Sequence, residues 1–259
     1  MSVVNLMSNA AKKKILILVE GEKTDVALMK QIFRMYPELD AKYEIIPYRT
    51  NIYVLYQEFF CNDEAQDSFD LLQVLKAREK DEVKKEIFDA KYTDILLIFD
   101  LDPQDSLFTD EKIIRMQQYF CESSDMGKLY INYPMVESFY HMTSIPDPQY
   151  FERTASLYEL KNKTYKTRVN RESKGNSYSK FITSREECST VIKHNIEKAC
   201  NLLGMNLVLS PIWIEINFIG LLARQLKFLE SGYIYVLCTC VIYVYDYNSN
   251  LLFKNEGME

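Results

Sequence analysis

Two short runs constrain the fold of this chain more than any other feature. KILILV at residues 14–19 and DILLIF at 94–99 each contain five consecutive apolar residues, most of them Ile or Leu. Neither run alternates polar with apolar, so neither suits a sheet with one wet face. Strands of this kind are buried on both sides, as in a parallel sheet covered by helices. Each run also stops at acids: Glu20-Gly21-Glu22 follows the first, and Asp100-Leu101-Asp102 ends the second. Polar chemistry in parallel sheets gathers at the carboxyl ends of the strands. Two strands ending this way bring carboxylates to one edge.

The intervening segments supply helices. Val26, Met29, Ile32 and Phe33 recur at helical spacing up to Tyr36-Pro37, with Thr24 placed to cap them. YEIIP at 43–47 is a second strand, 51–60 a helix, and 67–91 a longer helix. Its KAREKDEVKKE stretch sets Glu and Lys within i,i+4 reach on a solvated face. A helix at 110–120 and a strand at 128–132 complete an alternation that predicts an α/β fold, a parallel sheet flanked by helices. Ile145-Pro146-Asp147-Pro148 divides the chain into an N-terminal α/β domain, 12–145, and a C-terminal α+β extension, 146–259. In the extension, 185–203 and 215–230 read as helices, 207–213 as a strand, and the tyrosine-rich run 233–245 as one or two core strands. That run, the longest apolar stretch, has 13 residues, too few for the roughly 20 of a membrane span. With no signal-like segment at the start, the expectation is a soluble cytoplasmic protein without a membrane partner.

Charge narrows the chemistry. Thirty-seven Asp and Glu against 31 Lys and Arg leave a net charge of −6, which excludes coating nucleic acid by bulk positive charge but not a local basic patch. Residues 161–180 (KNKTYKTRVNRESKGNSYSK) hold seven Lys or Arg against the single acid Glu172. Lys161, Lys163, Lys166, Arg168, Arg171, Lys174 and Lys180 are candidate phosphate binders there, with Tyr165 and Tyr178 for base stacking. A solvated polar insertion is the bland alternative. Only two histidines exist, His141 and His194, which excludes His-rich metal sites and favours structural hydrogen-bonding roles for both. None of the six cysteines forms a CxxC pair. They read as free buried thiols of a reducing compartment, with Cys238 and Cys240 on one face of a strand.

Three acidic clusters remain: VEGEKTD at 19–25, FDLDPQD at 99–105 and NYPMVES at 132–138. Asp100 and Asp102, two apart in an extended segment, aim at one face and can share a cation. Hard oxygen ligands suit Mg2+ or Mn2+. Glu137 stands at a strand-to-helix junction. The bland reading of each acid is an N-cap or a solvated loop residue.

VEGEKTD after KILIL, followed about 75 residues later by DILLIFDLD, resembles the Toprim domain, the metal-dependent phosphodiester fold of topoisomerases, primases and several nucleases. NYPMVESFYHM is similar to the Asn-Pro-x-x-Glu segment of RloB-like and OLD-like effectors of bacterial anti-phage defence. The resemblance covers residues 14–142. It implies a Toprim-like sheet and a metal set of Glu20, Asp100 and Asp102, with Glu20 as general acid/base and Glu137 as a further catalytic acid. It also implies Mg2+ (or Mn2+) as cofactor, a nucleic acid substrate with RNA such as tRNA slightly favoured, a possible ABC-type ATPase partner, and a homodimer. Asp25 fits the acid closing the first motif. Pro103-Gln104-Asp105 departs from the DxDxxG of many Toprim domains. Lys23, or a cation of the basic segment, would help stabilise phosphate charge, and base catalysis falls to Glu20 or metal-bound hydroxide.

Two rival readings stay open. In a HAD-type phosphohydrolase Asp100 would be the nucleophile and Asp102 the acid/base, although the motif's usual x-Thr is replaced by Pro103-Gln104 and VEGEKTD has no role. In a partner-gated regulatory or binding protein the fold would act without turnover.

Overall fold

The computed structural model describes residues 14–39, 42–61, 70–124, 126–176, 178–205 and 213–253. Strand β1 (Lys14–Val19) lies mid-sheet, with every residue from Ile15 onward inaccessible to solvent. Helix α1 (Thr24–Met35), β2 (Lys42–Pro47), α2 (Ile52–Phe60), α3 (Leu71–Arg78), α4 (Glu82–Phe88), β3 (Asp94–Asp100), α5 (Asp110–Tyr119), β4 (Cys121–Glu122) and β5 (Gly127–Asn132) follow. The sheet order is β2-β1-β3-β5-β4, with every pairing parallel except the two-residue edge strand β4. The chain is therefore α/β with a mostly parallel, helix-flanked sheet, as the two apolar runs require.

This order positions the site. From β1 the chain goes first to β2 on one side and later crosses to β3 on the other, so the strand order reverses between β1 and β3. A crevice opens at the carboxyl ends of such a pair. The register places Val19 opposite Ile98, and the Glu20 N–H donates to Ile98 O at 3.0 Å. The first acid after β1 thus falls beside the last residue of β3.

The second half contains β6 (Thr154–Ser156), α6 (Leu157–Lys161), α7 (Tyr165–Glu172), α8 (Tyr178–Phe181), α9 (Arg185–Leu202), α10 (Phe218–Glu230), β7 (Tyr233–Tyr235) and α11 (Tyr243–Tyr247). Strands β6 and β7 form a small antiparallel pair. One apolar core runs across both halves, from Ile15 in β1 to Leu252. The segment after β7 seals the end of β5: Leu237 bridges to Tyr133, and the Thr239 hydroxyl donates to Ile131 O at 2.8 Å.

Several elements differ from the sequence reading. The helix expected at 67–91 is two helices, because the Glu79 carboxylate accepts from the Lys80 and Asp81 amides while Asp81 caps α4 through the Val83 N–H. Its residues 67–69 lie outside the described set. The run at 233–245 is buried core, but only its first three residues are strand; it continues through a turn at Cys240–Ile242 into α11. Packing overrides β-propensity, itself largely a measure of context. Thr24 does not cap α1; it is the first helical residue after an N-cap at Lys23 that lacks a side-chain bond. The strand expected at 207–213 lies outside the described residues except Trp213. Cys61 and Cys121 are exposed, against expectation, and the other four cysteines are buried and free. Cys238 and Cys240 lie beyond β7, with their sulfurs 3.4 Å apart. Among the described residues no helix is long and apolar enough to cross a membrane.

Candidate functional site

A cavity of about 510 Å³ opens at the reversal point between β1 and β3. Glu20, Asp25, Asp100 and Glu137 line it, together with Lys23, Arg49 and Lys166. The three clusters that were separate in sequence therefore supply one wall each. Glu20 leaves β1 and its Oε2 accepts the Asp100 N–H at 3.2 Å. Asp25 sits in the first turn of α1, only 5% exposed. A Cβ on Gly21 would stand 2.6 Å from Asp25 Oδ2, so the carboxyl packs where only glycine leaves room. Asp100 ends β3 and accepts from Asn132 Nδ2 at 3.4 Å; Asn132 Oδ1 in turn lies 3.4 Å from the Cys240 N–H. Glu137 is carried by the short turn Val136–Tyr140 and is 2% exposed.

Carboxylates gathered in a poorly solvated place resist ionising together. Burial, followed by the charge of Asp102, pushes the Glu20 carboxyl up to about 9, against the pull of the Asp100 amide. Burial, then Glu20 and Asp102, raises Asp100 well above the carboxylate range. Burial raises Asp25 as well, although the amides of Asp25 and Gly21 favour its charge.

Asp102 takes a different place from the one expected. It adopts φ 41°, in the left-handed region that Asp tolerates. The strand geometry that would aim it with Asp100 ends at Asp100 itself. Asp102 does not line the cavity; its carboxylate accepts from Gln104 Nε2 at 2.9 Å. It still acts on Glu20 through its charge, and burial raises its own carboxyl.

Two cations of the cavity lining meet its acids: Arg49 pairs with the exposed Glu22 and Lys166 with the buried Glu137. The Lys166 Nζ stands 3.0 Å from Glu137 Oε1 while the side chain stays 59% exposed, so it spans solvent and buried carboxylate. Helix α7 carries it there, and His141 anchors α7. His141, fully buried, hydrogen-bonds the Tyr165 hydroxyl through Nδ1 and Glu172 through Nε2, both at 3.1 Å. Burial drops the His141 pKa to about 4, so the ring is neutral at physiological pH. A neutral ring facing a carboxylate carries its proton on Nε2 and accepts from Tyr165 on Nδ1. His194 also has a structural place, accepting the Asp147 N–H at 3.3 Å.

The rest of the basic segment divides in two. Arg168 pairs with Glu159 and Glu172, Arg171 with Glu172, and Lys174 with Glu187. Lys161, Lys163 and Lys180 are exposed and carry no ion pair among the described residues. Tyr165 is 1% exposed and cannot stack on a base, contrary to expectation, whereas Tyr178 is half-buried with its ring against Tyr140. Sequence reasoning missed Arg49 and Asn132. Arg49 reaches the cavity because it takes a left-handed φ of 69° just past β2 and its N–H donates to Glu20 O. No sequence signal marks that turn.

Two carboxylate oxygens in the site, Asp25 Oδ1 and Glu137 Oε2, are buried without a hydrogen-bond donor. A buried acceptor left unpaired costs about 1–3 kcal/mol. The donors converging here are carboxylate oxygens, which suit Mg2+ or Mn2+. Both features fit a hard divalent cation. Among the described residues no group of three or more Asp, Glu, His or Cys side chains stands close enough to hold a metal ion; the four acids line the cavity and would have to draw together to share one. Comparison with protein-family models, with curated proteins and with solved structures gives no match.

Proposed function

We propose that the chain is a Mg2+-dependent nuclease built on a Toprim-like sheet, with nucleic acid, and RNA first among the candidates, as substrate. The observation that carries this reading is the single cavity in which Glu20, Asp25, Asp100 and Glu137 meet Lys166 at the β1–β3 crevice, two of their buried oxygens unpaired. Glu20, Asp100, Asp25 and Glu137 would draw together to hold the cation, with the charge of Asp102 acting on Glu20. The ion, when bound, neutralises charge that builds on a phosphodiester as its P–O bond breaks. Lys166, Lys23 and Arg49 at the cavity mouth bind non-bridging phosphate oxygens and orient the ester. Burial keeps a proton on Glu20 at neutral pH; with a cation held beside it, Glu20 would give up that proton and become a carboxylate able to exchange protons. Glu20 takes a proton from the attacking water and returns one to the leaving oxygen. A phosphohydrolase mechanism with Asp102 as acid/base has weaker support, since Asp102 is not among the residues lining the cavity and its carboxylate accepts from Gln104.

Incubation of the full chain with a pool of tRNA, single-stranded DNA and duplex DNA tests the proposal. Cleavage is expected with Mg2+, none with EDTA, and a loss of at least about 100-fold in Glu20→Gln, the scale of a missing acid/base group. Cleavage that survives both EDTA and Glu20→Gln would refute it. So would a folded sample that cleaves nothing in the pool.

A further inference from the structure

Helix α1 begins at the acidic cavity and runs away from it. One stripe of that helix, Lys23, Ala27, Lys30, Gln31 and Arg34, follows the i, i+4, i+7, i+8, i+11 spacing that keeps side chains on a common face. Lys23 lines the first cavity, while the other four line a second one of about 710 Å³. Tyr43, Tyr140 and Tyr178 also line this second cavity, and no acid does among the described residues. Glu137 and Tyr140 share one five-residue turn, so that turn and α1 together join the two cavities. The Tyr140 and Tyr178 rings stand 4.4 Å apart, which holds Tyr178 in place. Tyr43 is 38% exposed and braced by Phe33 at 4.4 Å. Lys30 and Arg34 are exposed and have no ion pair among the described residues.

We infer that this second cavity binds the nucleotides flanking the scissile phosphate of a single-stranded nucleic acid, stacking bases on Tyr178 and Tyr43 and holding phosphates with Lys30 and Arg34. The assignment rests on the nuclease reading of the first cavity and names its substrate class. Flat aromatic walls and unpaired cations in one groove match a ligand that is itself flat rings on an anionic backbone. A duplex keeps its base faces stacked on each other and out of reach of such walls. The 11-residue interval from Lys23 to Arg34 spans about 16 Å along the axis, enough for a short run of nucleotides rather than one. Charge is divided along this path, with acids at the bond to be cut and cations beside the flanking phosphates.

Fluorescence anisotropy with labelled oligouridylate, oligodeoxythymidylate and a duplex of the same length, in EDTA so that nothing turns over, tests the groove on the full chain. Both single strands are expected to bind more tightly than the duplex. Tyr178→Ala should weaken them about tenfold, the scale of one stacked base, while Tyr178→Phe binds as the unsubstituted chain does. Lys30→Ala with Arg34→Ala should lower the slope of log affinity against log salt by about 1.4, two phosphate contacts on a single strand. Unchanged affinity and slope in these variants, alongside Mg2+-dependent cleavage with an unaltered KM, would overturn the groove and leave the nuclease standing. Absence of both binding and cleavage would overturn the two together.

Discussion

A methyl group at residue 21 would collide with Asp25 Oδ2 at 2.6 Å, and the atom that must yield is the tip of a side chain rather than backbone. The protein can absorb that collision by swinging the Asp25 carboxyl, so folding is little affected while the cavity wall is displaced. Gly21→Ala is therefore expected to leave the melting temperature within a few degrees and cut Mg2+-dependent cleavage at least about tenfold. A melting scan beside a cleavage assay separates the two. Equal activity would show that Asp25 contributes no oxygen to the chemistry. The same scale explains how the strand-end acids were legible. Glu20 and Asp100 each follow five apolar residues, and the Val19–Ile98 register makes them neighbours. Asp102 was legible as an acid but not in its direction, since φ at one residue decides that and the DLD pattern does not encode it.

Helix α7 depends on a hydrogen-bonded tether. His141 is neutral because burial outweighs the Glu172 bond that would favour its charge. For Glu172 burial acts in the opposite direction, but bonds from His141, Arg171 and Arg168 bring its pKa down to about 2. A histidine whose pKa falls from 6.5 unfolded to about 4 folded binds fewer protons in the native state across that interval. Its contribution is complete above the unfolded value and is lost as pH falls from there toward about 4. Amide protection in α7 is expected to decline between these limits ahead of protection in β1 and β3, and His141→Gln should remove the difference. Hydrogen exchange as a function of pH measures it; parallel decline of all three elements would contradict the tether. Lys166 rides on this helix, and for that reason its role was not legible in the sequence. KTYKTRVNRE reads as a basic run, and the long-range pairing of His141 with Tyr165 and Glu172 is what brings Lys166 of that run to Glu137. The 233–245 run shows the same gap at element scale. Its burial was legible from apolar content, whereas its turn into α11 was not, because packing against β5 and α9 decides it.

At the scale of the molecule, buried carboxyls gather in one cavity while Lys30 and Arg34 stand without ion pairs, among the described residues, at the neighbouring one. A net charge of −6 conceals both. The segment after β7 reaches back to Asn132, which bonds Asp100, so the second half of the chain completes the site formed by the first. Carboxyls that hold their protons above the usual range must release them when a cation binds. Titration calorimetry of Mg2+ into the metal-free chain near neutral pH, in two buffers of different ionisation enthalpy, measures that release directly. Binding that liberates about one proton or more per ion, and that weakens at least about tenfold in Asp100→Asn, is the expected result. Absence of binding, or binding without proton release that is equally tight in Asp100→Asn, would show that the acidic cavity is not a cation site.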